Sequence, residues 1–132
     1  MSFYQFKFSI KMTRFLRRLL IGFYLVAGSY HFINPPFYKG LIPTYLPFPE
    51  VINYTSGVLE ILLAIGVALP QLRRYAVYGI ITLLILFIPS HIYFIQIGSC
   101  VEHGLCVSPW ISWTRLLLIH PLLIYWAWKV RT

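Results

Sequence analysis

The sequence predicts an all-α integral membrane protein, a four-helix bundle with both termini in the cytoplasm. Of its 132 residues, 59% are hydrophobic and 11% are charged, with a mean hydropathy of +0.75. A soluble domain of this size would aggregate with so much apolar surface. The apolar residues fall into four long stretches, and the basic residues cluster beside alternate ends of those stretches. The first observation predicts the membrane, and the other two predict the number and direction of the helices.

The predicted spans cover residues 15–33, 51–69, 75–97 and 110–128. Each has about the 20 residues that a helix needs to cross a bilayer at a rise of ~1.5 Å per residue. Helices are expected because a lone strand in lipid would leave its backbone polar groups unpaired. The length fits one domain, residues 1–132, rather than two.

The orientation follows from the basic residues that flank the spans. The loop between the first two spans carries only Lys39, and the loop between the last two carries no lysine or arginine. The positive-inside rule then places both termini and the central loop in the cytoplasm. The net charge of +8 suits anionic lipid headgroups, so the expected partner is the bilayer and not nucleic acid. The cytoplasmic set is Lys7, Lys11, Arg14, Arg17, Arg18, Arg73, Arg74, Lys129 and Arg131.

The N-terminal segment has a second interpretation. Its basic start, its apolar stretch and the small residues Ala27-Gly28-Ser29 also imitate a cleavable signal peptide. Cleavage would leave three spans and put the two termini on opposite sides of the membrane. The residues that follow Ser29 favour an uncleaved first span, as a family resemblance described below indicates.

The outer loop at residues 34–50 contains five prolines, so it cannot form one continuous helix. It is also rich in aromatic and aliphatic residues, which a solvated linker would lack. We expect a rigid segment partly immersed at the outer interface, where aromatic rings favour headgroup depth. This segment caps the bundle, lines a lateral opening, or serves as a plain structured connector.

The other outer loop holds the two cysteines of the chain, Cys100 and Cys106. On the oxidising side of a membrane they are expected to form a disulfide. The bond would be a structural staple or a redox-active pair, although the spacing is not the Cys-x-x-Cys of thiol oxidoreductases. A metal site with His103 is the remaining alternative, and three ligands in one short loop are a weak signal. We therefore expect no metal.

Five polar residues lie within the predicted spans, all in the outer half or at the centre of the membrane. A carboxylate at mid-membrane costs about 2.5–3.5 kcal/mol on insertion scales, so Glu60 should face protein or water and needs a partner. Arg115 is the predicted counter-ion. The group is either a ligand or proton pocket, or a set of structural pairs that hold the helices in register. Its members are His31, Glu60, His91, Arg115 and His120; no catalytic residue is assigned.

Helical spacing predicts which faces meet. One stripe on the second span comprises Asn53, Gly57, Glu60, Ala64 and Ala68, and one on the first comprises Tyr24, Ala27, Gly28 and His31. Small residues allow close approach in lipid, so these faces should pack together with His31 above Glu60. Arg115 and His120 diverge by ~140° around a regular helix and would share a pocket only if the helix is distorted. Pro121 and Pro89 each favour such a distortion.

Several segments resemble the DoxX-like family of small four-span membrane proteins, over most of the chain from about Arg14. At two positions the last helix departs from that family: Leu117 and Ile119 stand where it often has a proline and a glutamine. The matching pieces are Ala27-Gly28-Ser29-Tyr30-His31-Phe32-Ile33-Asn34-Pro35 with Tyr38, Ile42-Pro43-Thr44-Tyr45-Leu46-Pro47, Ser56-Gly57-Val58-Leu59-Glu60, Pro89-Ser90-His91-Ile92-Tyr93, Arg115, and Tyr125-Trp126.

The resemblance implies a multi-pass protein of the bacterial cytoplasmic (inner) membrane. Members of the family are linked to thiosulfate oxidation with quinone, to thiol homeostasis and, more distantly, to receptor assembly, so the resemblance defines fold better than activity. One expectation is a redox- or quinone-associated accessory subunit whose polar pocket binds a quinone head group. Because the sequence has no flavin, haem or nucleotide motif, electrons would come from a redox partner. The alternative is a non-enzymatic assembly or accessory subunit of a larger membrane complex; a transporter is least favoured.

Overall fold

The computed structural model describes residues 3–132, and this part of the chain is helical with no strand. The first two residues of the predicted domain lie outside the described range. The elements in chain order are α1 (Phe3–Ile33), α2 (Pro35–Lys39), α3 (Pro49–Ala68), α4 (Arg73–Leu86), α5 (Ile88–Gln96), α6 (Pro109–Thr114), a π-helical turn (Arg115–Ile119) and α7 (His120–Lys129).

The first two predicted spans correspond to α1 and α3. Helix α1 begins twelve residues before the predicted start, since residues 3–14 contain neither glycine nor proline and continue the helix. Helix α3 begins at Pro49. Proline suits the first turn because the N–H that it lacks would have had no partner within the helix. The proline-rich loop is not one continuous helix, as predicted, but Pro35 and Pro36 start the short helix α2 within it.

The third predicted span is divided between α4 and α5 at Phe87. Pro89 causes this break because it has no N–H to donate to the carbonyl one turn earlier. The last span is divided by the π-helical turn, in which the His120 amide bonds the carbonyl of Arg115 five residues back. Pro121 follows at once, so the distortion predicted near it is present.

Two helical stretches are long and apolar enough to cross a membrane: Pro49–Ala68 and Arg73–Gln96, the latter comprising α4 and α5. The last helix does not qualify as one stretch because the π-helical turn divides it. Helix α1 includes three arginines, two lysines and a histidine among its apolar residues.

The long helices contact one another in a closed ring: α1 packs on α3, α3 on α4, α4 on α7, and α7 on α1. A core of aliphatic side chains lies between them, near the α3–α4 turn and the end of α7. Its largest buried members include Leu20, Val67, Val77, Ile80 and Val130. The Arg17 guanidinium donates to the carbonyl oxygens of Val130 and Thr132, which fixes the C-terminus beside α1.

The bundle therefore has two chemically different ends. The terminal end holds both termini, the α3–α4 turn and the aliphatic core. The loop end holds residues 34–48 and 97–108, and these two segments touch where Gly40 lies against Val101. Four of the five polar residues singled out in the sequence belong to helices near the loop end or to the kinks in α4–α5 and α6–α7; Glu60 lies deeper, in α3.

Candidate functional site at the α1–α3 interface

The site is built on a close contact between α1 and α3. A Cβ placed on Gly57 would lie 2.7 Å from the Cβ of His31 and 2.9 Å from the carbonyl oxygen of Gly28. A Cβ placed on Gly28 would lie 2.9 Å from the carbonyl oxygen of Gly57. Only glycine at both positions allows the two backbones to come this close. The predicted packing of these two helix faces is confirmed.

His31 is fixed by Asn53 of α3. The Asn53 amide nitrogen donates to the His31 carbonyl oxygen at 3.0 Å, and the Asn53 Oδ1 lies 2.8 Å from His31 Nδ1. Because Oδ1 can only accept, His31 Nδ1 must be the donor. The other ring nitrogen, Nε2, faces away from Asn53, so this contact does not determine whether Nε2 carries a proton.

Glu60 meets that second nitrogen. His31 Nε2 lies 3.5 Å from Glu60 Oε1, and both residues are 4% exposed. The contact is close enough for an ion pair, but it forms no hydrogen bond, so His31 Nε2 has no hydrogen-bond partner within the described residues. The prediction that His31 lies beside Glu60 is confirmed.

Three polar atoms of this group have no hydrogen-bond partner within residues 3–132: the Tyr24 hydroxyl, His31 Nε2 and Glu60 Oε2. Tyr24 is 3% exposed and lies within electrostatic range of the Glu60 carboxylate. Buried polar atoms are nearly always satisfied, so three together at one interface are unusual. We call Tyr24, His31, Asn53 and Glu60 the His31–Glu60 cluster.

Tyr38 closes the cluster on the side of the loop end. Its ring stacks on the His31 ring with centroids 3.6 Å apart and planes 9° apart. Burial, and then the nearby Glu60 carboxylate, raise the pKa of Tyr38 to about 12, so this phenol is neutral. Pro35 and Pro36, three and two residues before Tyr38, start α2 and so bring this ring over His31.

Arg115 does not pair with Glu60, and the predicted counter-ion is wrong in this structure. Among the described residues, the partner of Glu60 is His31. The reason lies in the last helix, where α6 and the π-helical turn pack against α5 rather than α3. The Arg115 guanidinium instead lies over the Phe94 ring, 5.8 Å from its centroid.

His91 and His120 form a second group, between α5 and α7. Their rings meet edge to face with centroids 4.7 Å apart. The Leu84 carbonyl oxygen accepts a hydrogen bond from His120 Nε2 at 2.6 Å. Leu84 lies just before the break at Phe87, where the backbone hydrogen bonds of the helix are irregular. The His120 imidazole therefore donates to a backbone carbonyl at the kink. The structure thus brings His31 to Glu60 and His91 to His120, while Arg115 is within electrostatic range of both His91 and Tyr38.

The loop end contains a disulfide between Cys100 and Cys106. Both sulfur atoms are used in this bond, so they do not bind a metal with His103 in this structure. Ser99 and His103 have left-handed backbone conformations, with φ of 61° and 57°, which the tight loop requires. A surface cleft of about 460 Å³ lies beside the bond, between Asn34, Phe37 and residues 103–106.

The fold and the cluster define a small helical protein with two stretches able to cross a membrane and a buried carboxylate–imidazole pair. The chain belongs to the family described as Domain of unknown function (DUF8561), whose model matches residues 20–131. No curated protein and no solved structure matches the chain significantly. The matched range includes every residue of the His31–Glu60 cluster.

Proposed function

We propose that the protein crosses the bacterial inner membrane four times with both termini in the cytoplasm. Two stretches already have the length and hydropathy of spans. The first and last helices also present large apolar side chains outward, such as Val26 at 71% and Leu117 at 67% exposure. Such surfaces are unfavourable in water and suited to lipid. The basic residues at the terminal end support the cytoplasmic assignment.

We further propose a resemblance in architecture to the DoxX-like proteins. The motif residues behind that resemblance are the ones that make the α1–α3 contact. Gly28 and Gly57 allow the approach, and His31 and Glu60 meet across it. A shared structural reason for these residues supports the relationship more strongly than their order in the chain does.

The function that the site supports best is a quinone-associated redox accessory subunit. One observation carries this proposal: a buried carboxylate and imidazole meet at an interface where the Tyr24 hydroxyl, His31 Nε2 and Glu60 Oε2 have no hydrogen-bond partner, and no arginine or lysine within residues 3–132 pairs with Glu60. A quinone head group has two carbonyl oxygens on an apolar ring, which suits a buried site with a few polar atoms. The orphaned Tyr24 hydroxyl supplies the donor that a carbonyl oxygen needs.

The residues of the cluster would handle protons. When bound, a quinone accepts two electrons and two protons to become a quinol, and the electrons come from a redox partner. His31 Nε2 and Glu60 Oε1, 3.5 Å apart, are the two groups that would each transfer one of these protons, with Asn53 holding the imidazole ring in place. Tyr38 and the glycine contact exclude water from the pair.

The test is the affinity of the purified protein for a water-soluble ubiquinone analogue, measured by quenching of tryptophan fluorescence. Glu60→Gln should weaken binding about tenfold, the effect expected from losing one hydrogen bond to a charged group. Glu50→Gln is the matched control because Glu50 is exposed and pairs with Lys39 at the surface. Equal affinities of Glu60→Gln and Glu50→Gln would remove the proposal.

A non-enzymatic assembly or accessory role is the second candidate, favoured by a different surface. An apolar groove of about 310 Å³ runs between α1 and α7, lined by Leu16, Leu122, Trp126 and their neighbours. A helix of a larger membrane complex would fit such a groove. Leu122→Trp should fill it and release a partner that copurifies in mild detergent, whereas Leu118→Trp outside the groove should retain that partner.

A further inference from the structure

Arg115 is a half-buried cation for which the protein has no carboxylate left. The sequence contains three acidic side chains. Glu50 lies 2.7 Å from Lys39, Glu60 lies 3.5 Å from His31, and Glu102 lies 3.7 Å from His103. The C-terminal residue, Thr132, accepts from Arg17 at the other end of the bundle. Each of the three acidic side chains therefore has a partner other than Arg115.

The surroundings of Arg115 add a second unpaired group. Ser112 lies one turn earlier on α6, three residues away, so the two side chains project from the same face of the helix. Its hydroxyl is buried, with the residue 2% exposed, and has no partner in the described part of the chain. The Phe94 ring lies against the guanidinium, and His91 is within electrostatic range. A guanidinium and a hydroxyl thus lie together without an acceptor among residues 3–132.

We propose that Arg115 and Ser112 form a binding site for a phosphate-class oxyanion. Guanidinium offers several donors in a fixed fork that matches phosphate oxygens, and the hydroxyl supplies one more. Arg115 is the seventh residue of the last helix counted from Pro109, roughly 9 Å along it at the usual helical rise. An arginine at that depth reaches the interface by extending its side chain. The oxyanion is the phosphate of a phospholipid headgroup or a free phosphate, which share this chemistry.

This site is separate from the quinone proposal and does not rest on it. It lies on α6 and the π-helical turn, which pack on α5, whereas the His31–Glu60 cluster lies between α1 and α3. Tyr38, which stacks on His31, is within electrostatic range of Arg115 and stands between the two sites. A variant that abolishes one should leave the other intact. The competing account is that Arg115 pairs with Glu60 in solution, as the sequence alone suggested.

The experiment compares three variants with the unmodified protein in a phosphate-free sugar detergent. Arg115→Gln removes the charge, and Ser112→Ala removes a buried orphan hydroxyl and should fold normally. Arg18→Gln is the matched control because it removes an exposed arginine at the terminal end. Inorganic phosphate binding is measured by calorimetry, and retained phosphatidylglycerol is counted by native mass spectrometry.

The expected result is a loss of about tenfold or more in affinity for Arg115→Gln, about threefold for Ser112→Ala, and less than about twofold for Arg18→Gln. Phosphate binding identifies a free oxyanion as the source, and loss of retained lipid without phosphate binding identifies the headgroup. The proposal is overturned if neither ligand depends on Arg115 or Ser112.

Discussion

Glu60 is the side chain on which the account depends. Its position in a long apolar stretch predicted a partner within the protein, and helix geometry correctly predicted His31. Charge complementarity predicted Arg115 and failed. Helical spacing places residues on a face reliably, whereas a counter-ion on another helix depends on how far that helix reaches. Pro121 had indicated a distortion near the π-helical turn at Arg115–Ile119, but not that α6 would pack on α5 there.

Asn53 should be the structural support of His31. Asn53→Ala removes the acceptor for Nδ1 and the donor for the His31 carbonyl, which leaves buried polar atoms unpaired. We expect a loss of about 1–3 kcal/mol in the free energy of unfolding. Titration with a denaturing detergent, followed by circular dichroism, measures it. Thr55→Ala, at an exposed position two residues on, should change stability little, and equal losses would contradict the role of Asn53.

The contact between α1 and α3 leaves no room for a side chain at Gly28 or Gly57. Gly57→Ala would place a methyl group 2.7 Å from the His31 Cβ and 2.9 Å from backbone oxygen. Such overpacking typically costs 1–3 kcal/mol, so we expect about that loss of stability. Gly22 on the same helix as Gly28 has no atom within 4 Å of an added Cβ. Gly22→Ala should therefore be neutral or stabilising in the same unfolding titration.

The kinked helices depend on a side chain inserted at the break. His120 bonds the Leu84 carbonyl beside the interruption at Phe87. We expect His120→Ala to lower the free energy of unfolding by about 1–3 kcal/mol, because that carbonyl loses a buried donor. His91→Ala removes the neighbouring ring, whose contact with His120 is edge to face, and should cost less. A larger loss for His91→Ala in thermal unfolding would contradict this assignment.

The helices themselves could be predicted well from sequence, and their interruptions less well. Hydropathy placed α3 within two residues of its observed start, and prolines predicted irregularity near Pro89 and Pro121. The early start of α1 was missed because hydropathy indicates which residues suit lipid, not which residues are helical. The first turns of α1 are helical but are not continuously apolar. Tyr38 was missed as a site residue because its position over His31 depends on the path of the loop, which spacing rules do not give.

At the scale of the whole molecule, one prediction concerns the topology. It follows from the pattern of basic residues and the position of the disulfide. Cys100 and Cys106 should lie outside the cytoplasm, and both are exposed at the loop end. In intact spheroplasts, a membrane-impermeant maleimide should label them only after reduction. A single cysteine substituted at Thr132, in a chain with Cys100→Ser and Cys106→Ser, should be labelled only after permeabilisation. The reverse pattern would contradict the orientation.

We propose that the His31–Glu60 cluster binds the head group of a quinone. Photolabelling with an azidoquinone, followed by mass spectrometry of peptides, locates the bound ring most directly. We expect labels on residues 24–38 and 53–60. Labelling should fall about tenfold in Glu60→Gln and should not fall in Glu50→Gln. Labels confined to the groove at Leu16 and Trp126, or labelling unchanged by Glu60→Gln, would contradict it.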